Sequence, residues 1–225
     1  MQYSENTANV KAPVFSISRL RMGTDGAGIT TLVTFMGCPL RCKYCLNMKC
    51  HEPIYRDKHK NLRDGIMLVT PHELYERVRK DNLYFQATGG GICFGGGEPT
   101  LYPEFIKEFK KHCESRWKIT LETCLDCSYD TIEKLSDVVD HWIVDIKSLD
   151  PFVYKDYTGK SSGVLQHLYP LKKLVQQENV TVKVPCIPGY NDKADLESDI
   201  KEIKKRFGFT NVYKVEYIKR KIKYE

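Results

Sequence analysis

Cys38, Cys42 and Cys45 stand in the run Gly37-Cys38-Pro39-Leu40-Arg41-Cys42-Lys43-Tyr44-Cys45, with the spacing Cys-x3-Cys-x2-Cys. One short loop therefore supplies three thiolates. A cubane iron–sulfur cluster takes four ligands, so a triplet leaves one iron open to a further molecule, and an electron carrier becomes able to catalyse. The competing chemistry is a zinc knot, which closes with four thiolate or imidazole ligands. Cys50 and His51, just downstream, are its candidates. Zinc sites usually pair Cys-x2-Cys units, so the triplet spacing favours the cluster.

The turn Gly95-Gly96-Gly97-Glu98-Pro99 is the second feature. Glycines ending a buried strand let a ligand approach the backbone closely, and Glu98 adds a negative charge suited to an ammonium group. No Gly-Lys-Ser/Thr follows, which excludes a phosphate loop. Tyr44 offers an aromatic face for packing or for a bound nucleoside. Cys124 and Cys127 are two further thiols, read as small buried side chains or as ligands of a second group. His51, His59, His72, His112, His141 and His167 are scattered without ligand spacing and read as surface or core residues.

These residues need elements to position them. Strand-length hydrophobic runs fall at residues 30–36, 91–95, 118–123, 142–147, 181–186 and 212–218. Most are continuous, as expected for a parallel sheet buried on both faces. Helical patterns occupy residues 71–80, 103–113, 129–135, 164–176 and 195–207. The first begins with Thr70 as N-cap, Pro71 at the first helical position and Glu73 placed for a capping box. The last puts Leu196, Ile200, Ile203 and Phe207 on one face. Six strand–helix alternations predict an α/β fold with right-handed parallel crossovers, either doubly wound or a partial barrel. In such folds the strands' C-terminal ends carry the chemistry. The cysteine loop, the glycine turn, Glu122-Thr123 and Asp145-Ile146-Lys147 all fall there.

No repeat or linker interrupts the chain, so one domain over residues 1–225 is expected. The formal charge of +6 reads as a solvated surface. The Lys/Arg-rich tail at 214–223 is interleaved with Val215, Tyr217 and Ile218 as in a strand, and no nucleic-acid partner is expected. No apolar run reaches membrane-span length, and the first twenty residues lack a signal peptide's apolar stretch. Nine cysteines, an odd number in a chain of 225 residues, point to a reducing compartment. A cytoplasmic protein without membrane contact, and a monomer, is the expectation.

The three cysteines with Tyr44, the Gly-Gly-Glu-Pro turn and the six βα units resemble the radical S-adenosylmethionine superfamily. Asp25-Gly26-Ala27-Gly28, Tyr44-Cys45-Leu46-Asn47 and Asp145-Ile146-Lys147 are closer still to the pyruvate formate-lyase activating enzymes, which install glycyl radicals. The likeness runs over about residues 15–218. It implies a partial (β/α)6 barrel, a parallel sheet with outer helices. Cys38, Cys42 and Cys45 would hold a [4Fe–4S] cluster whose open iron is chelated by S-adenosylmethionine. Gly96, Gly97 and Glu98 would meet the methionine amine. Glu122, Thr123 and Asp145 would line the ribose and a monovalent-cation site. Lys147 and Lys183 would face the cofactor's carboxylate or hydroxyls, Ile187 its adenine, and Tyr44 a nucleoside surface.

The implied activity is reductive cleavage of S-adenosylmethionine to a 5′-deoxyadenosyl radical. That radical would abstract a glycine Cα hydrogen from a glycyl radical enzyme, the protein substrate, with flavodoxin or ferredoxin as electron donor. Rivals of the same chemistry are a 7-carboxy-7-deazaguanine synthase-like enzyme acting on a small molecule and an anaerobic ribonucleotide reductase activase. A non-catalytic electron carrier is a third, opposed by the Gly-Gly-Glu turn and the open coordination position. Glu122-Thr123-Cys124-Leu125-Asp126-Cys127 departs from the Asp-Thr-Asn-Gly usual after the third strand, and Leu46 stands where Asn or His is common. No ferredoxin-like insertion lies between Cys45 and Gly95, so one cluster is expected. The chain ends at Glu225, and one side of the barrel is expected to stand open.

Overall fold

The computed structural model describes residues 10–161, 164–193 and 196–216. In chain order the elements are β1 (Ala12–Met22), β2 (Ile29–Phe35), β3 (Met67–Val69), α1 (Pro71–Val78), α2 (Asn82–Thr88), β4 (Gly91–Gly96), α3 (Pro103–His112) and β5 (Lys118–Thr123). There follow α4 (Tyr129–Ser136), β6 (His141–Asp145), α5 (Pro151–Thr158), α6 (Val164–Leu174), β7 (Val180–Cys186), α7 (Leu196–Phe207) and β8 (Asn211–Glu216). The eight strands among the described residues form one sheet in the order β3-β1-β2-β4-β5-β6-β7-β8. From β2 to β8 every neighbouring pair is parallel. These are the six strands expected from the sequence; the part of the last at Tyr217 and Ile218, and the tail beyond it, lie outside the described residues. The sheet is open, with β3 and β8 at its edges, as a partial barrel requires.

Burial explains why the parallel strands read as unbroken apolar runs. Ile92, Cys93 and Phe94 are consecutive in β4 and all fully buried, as are Trp142 and Val144 in β6, because helices cover one face and the barrel interior the other. Phe35 stacks on Phe94 with centroids 5.2 Å apart, and Phe109 of α3 meets Phe94 edge-on at 5.3 Å. Leu196, Ile200, Ile203 and Phe207 of α7 are buried while Lys201, Lys204 and Lys205 are exposed. Each such burial contributes about 1.5–3 kcal/mol before conformational entropy is subtracted. The capping box of α1 forms in both directions: Glu73 N–H donates to Thr70 Oγ1 at 3.2 Å, and Thr70 N–H to Glu73 Oε2 at 2.8 Å.

β1 and β3 extend the sheet antiparallel beyond β2, and α2 and α5 are further helices. α5 matters for the site. Asp150 Oδ1 caps it by accepting from Phe152 N–H at 2.7 Å and Val153 N–H at 3.1 Å, Pro151 follows, and Gly159 ends it in the left-handed conformation. Among the described residues no helix is long and apolar enough to cross a membrane.

Candidate active site

Backbone hydrogen bonds pin the cysteine loop on three sides. Gly97 N–H donates to Phe35 O at 3.0 Å and Glu98 N–H to Gly37 O at 2.8 Å, tying the loop's start to the turn after β4. Arg41 N–H donates to Thr158 O at 2.8 Å and Lys43 N–H to Tyr157 O at 3.0 Å, tying its middle to the end of α5. Gly37 N–H donates to Cys50 O at 2.7 Å. Tyr102 has no side-chain capping role at α3. Its hydroxyl donates to Met36 O at 2.7 Å and fixes the end of β2.

A cavity of about 490 Å³ opens at the C-terminal ends of the parallel strands, within the range of small-molecule and cofactor sites. Cys38, Cys42, Tyr44, Cys45, Gly96, Gly97, Glu98, Glu122, Thr123, Asp145, Lys147 and Lys183 all line it. Ile187 does not. It is fully buried, and its N–H donates to Asn191 Oδ1 at 2.5 Å, so the strand-end turn faces inward there. Leu40, Leu46, Asn47, Cys124, Tyr157, Pro185, Val215 and Glu216 complete the wall. Tyr157 carried no sequence signal because α5 has a weak amphipathic pattern. Its ring lies 6.4 Å from that of Tyr44, and Tyr190 packs edge-on to both at 5.9 and 5.2 Å.

Charges on the floor are internally balanced. Lys183 Nζ donates to Glu122 Oε1 at 2.9 Å, and Lys147 pairs with Asp145. The chain's own ammonium groups thus sit against both carboxylates expected at a monovalent cation. Burial alone would lower both lysine pKa values. Attraction from Asp145 and Cys42 outweighs it at Lys147, and Glu122 does so at Lys183, leaving both raised. Glu98 is 1% exposed. Its Oε1 accepts from Thr100 N–H at 3.1 Å, Thr100 Oγ1 at 2.7 Å and Thr123 Oγ1 at 2.6 Å, and its Oε2 from Cys124 N–H at 2.8 Å. Three of these donors go to Oε1 and one to Oε2, so Glu98 ties the β4 and β5 ends together while lining the cavity beside the Gly96-Gly97 backbone.

The three thiols differ in their surroundings. A hydrogen bond with Cys124 holds the Cys38 thiol below its ordinary range. Burial pushes Cys42 up to about 11 against the pull of Lys147. Cys45 is lowered to about 5, chiefly by hydrogen bonding from Cys50, with the Asn47 backbone and His51 adding to it. Cys127 is raised to about 12 by burial and does not line the cavity, as a small apolar residue would behave. Cys124 is therefore the one of the extra pair that reaches the site.

His51, the zinc candidate among the six histidines, lies half-buried beside the cysteine loop. Cys45, Cys50 and His51 bring their ligating atoms within 4.8 Å of one another, the geometry a zinc knot would use. His51 Nδ1, however, faces the Arg41 guanidinium. Arginine only donates, so Nδ1 is the acceptor and Nε2 carries the proton, which withholds the imidazole lone pair from a metal. The donor set that remains, three thiols on a pinned loop beside bare glycine backbone, fits a thiolate-held cluster with one open position. A Cβ on Gly97 would lie 2.2 Å from Gly37 O, so the approach of that turn to the cysteine loop depends on glycine.

An open parallel α/β barrel with a thiol triplet, a glycine turn and an aromatic wall at its C-terminal rim defines a class of iron–sulfur enzyme that binds a nucleoside-bearing cofactor. The family model for the Radical SAM superfamily matches residues 32–203, and the chain belongs to that superfamily. It is an enzyme whose cofactors are the superfamily's [4Fe–4S] cluster and S-adenosylmethionine. A pyruvate formate-lyase-activating enzyme of Clostridium pasteurianum is 33% identical over 202 residues, covering 86% of this chain and 76% of that protein. A (2S)-3-sulfopropanediol dehydratase activating enzyme of Klebsiella oxytoca is 28% identical over 235 residues, covering 80% of this chain and 72% of the other. The crystal structure of QueE from Escherichia coli shares the fold with a TM-score of 0.51 at 11% identity, covering 96% of this chain and 100% of that one.

Proposed function

We propose that this protein cleaves S-adenosylmethionine reductively and uses the resulting radical to remove a Cα hydrogen from a glycine of a partner protein, activating a glycyl radical enzyme. The observation that carries the reading is the meeting of Cys38, Cys42 and Cys45 with Gly96, Gly97, Asp145, Lys147 and Lys183 in one cavity. The activating enzymes among its relatives, at 28–33% identity, support the choice of substrate. A [4Fe–4S] cluster, when bound and reduced, supplies the electron that breaks a carbon–sulfur bond of S-adenosylmethionine.

The chain's residues then have definite tasks. Cys38, Cys42 and Cys45 would hold the cluster through their thiolates. The Gly96-Gly97 backbone, in place because Glu98 anchors its turn, accepts hydrogen bonds from the methionine ammonium. Lys147 and Lys183 would serve the cofactor's carboxylate and hydroxyls, and Glu122, Thr123 and Asp145 would serve its ribose. Tyr44 and Tyr157 cover the nucleoside and exclude water, which prevents quenching. Holding the reacting groups in one dry, oriented site supplies catalysis by positioning. The electron donor is an acidic flavodoxin or ferredoxin, whose charge complements the +6 of this chain. We place all of this in a single domain and in a monomer in the cytoplasm.

The test is made on a purified partner. Anaerobic incubation of the reduced, reconstituted protein with S-adenosylmethionine and a candidate glycyl radical enzyme is expected to produce a glycyl doublet in electron paramagnetic resonance. Steady 5′-deoxyadenosine formation with no doublet on any such partner would reject the glycine substrate in favour of a small molecule.

A further inference from the structure

Two side chains near the cysteine loop have no task in the mechanism above. Cys50 is 2% exposed, on the 3-10 turn Met48–His51. That turn is held by Cys50 N–H donating to Asn47 O at 2.9 Å and Cys50 O accepting from Gly37 N–H. His51 presents one ring nitrogen to Arg41, and its Nε2 is buried with no hydrogen-bond partner among the described residues. Both residues lie within 4.8 Å of the Cys45 sulfur. An orphaned buried N–H is costly in a folded protein, and with Nδ1 taken by Arg41, Nε2 is the ring nitrogen left to face the Cys45 sulfur.

We infer that His51 Nε2–H and Cys50 S–H both donate to the Cys45 sulfur of the bound cluster and set its reduction potential above that of an undonated thiolate set. The inference rests on the cluster assignment made under Proposed function. Hydrogen bonds to ligating sulfurs are among the levers that set iron–sulfur potentials. Donors draw electron density from the sulfur, and the extra negative charge of the reduced state is then better tolerated. Arg41 fixes the tautomer: its guanidinium donates to Nδ1, and the ring proton stays on Nε2. Arg41, His51 and Cys50 are positioning residues acting through Cys45. The triplet is therefore asymmetric, because among the described residues Cys42 has no such pair of donors.

Potentiometric titration followed by electron paramagnetic resonance tests this on the reconstituted holoenzyme. At a fixed poise His51→Ala and Cys50→Ala are each expected to lower the reduced-to-oxidised ratio about tenfold, which is about 59 mV for a one-electron couple. His51→Gln and Cys50→Ser, which return an N–H or O–H donor, are expected to regain most of that loss. Unchanged potentials in the Ala variants would overturn the inference. So would equal shifts in the Ala and donor-bearing variants, which would mark solvent entry instead. If the variants do not load iron, wild-type resonance Raman decides: iron–sulfur stretches that shift in deuterated solvent are expected, and unshifted ones contradict it. A wild-type protein that assembles no [4Fe–4S] cluster at all would sink the cluster assignment itself, a distinguishable failure.

Discussion

Gly97→Ala isolates the claim that the glycine turn positions the cysteine loop. The added Cβ would lie 2.2 Å from Gly37 O, 2.6 Å from Phe35 O and 3.1 Å from Gly37 C. All three are backbone atoms, and the two oxygens accept the hydrogen bonds that join the turn to the loop. Neither can rotate away, so the loop itself must move. Overpacking of this kind costs about 1–3 kcal/mol, and the rigid neighbours put this case near the top. At about 2–4 °C per kcal/mol for a chain of this size, the cluster-free protein should lose roughly 6–12 °C in Tm. Because Gly37 precedes Cys38, iron loading should fall with it. Gly95→Ala is the matched control: its Cβ would meet the Glu122 side chain no closer than 3.3 Å, and a loss below about 1 kcal/mol is expected. Thermal unfolding and iron content measure both. A Gly97→Ala protein with wild-type Tm and full iron would refute the reasoning.

Three further outcomes follow from the geometry. In the cluster-free protein hydrogen bonding from Cys50 lowers Cys45 to about 5 while burial raises Cys42 to about 11, so at pH 7 iodoacetamide with peptide mass mapping should label Cys45 first; Cys42 labelling first would contradict the assignment. Burial would raise the Asp81 pKa, but hydrogen bonds from Arg19 and Thr31 outweigh it and leave it lowered. Its contribution is thus present above about pH 3.9 and lost as pH falls through the lower folded value. Asp81→Asn should flatten the acid limb of the stability–pH curve while costing stability at neutral pH. Lys183→Met strands Glu122 without its 2.9 Å partner and should weaken S-adenosylmethionine binding to the loaded protein about tenfold, roughly 1.4 kcal/mol; calorimetry with unchanged affinity would remove Lys183 from the site.

The parallel half of the sheet was legible because burial on both faces leaves unbroken apolar runs, as at Ile92–Phe94 in β4. β1 was hidden for the opposite reason. Its Phe15-Ser16-Ile17-Ser18 alternates, but register shifts between Val14 and Ser16 and between Ser18 and Arg21, with Leu20 left-handed at φ 54°, break the period. β3 is three residues long and has no period to read. α5 did carry Asp150-Pro151 and Gly159 at its ends, yet its low amphipathicity, with Tyr154, Tyr157 and Thr158 as the buried face, weakened the signal. The cysteine triplet and glycine turn were readable from spacing alone. The placing of His51 was not, since Cys-His adjacency says nothing about which ring nitrogen Arg41 takes. Glu98 was legible as a charge on the rim, but its four protein donors are tertiary facts.

The central claim is that three thiolates on this rim hold a cluster that opens S-adenosylmethionine. Anaerobic reconstitution, reduction with dithionite, addition of S-adenosylmethionine and quantification of 5′-deoxyadenosine test it most directly. Product from the wild-type protein and none from Cys42→Ala is the predicted result. A fully iron-loaded wild-type protein that releases no 5′-deoxyadenosine, or a Cys42→Ala protein that still does, would contradict it.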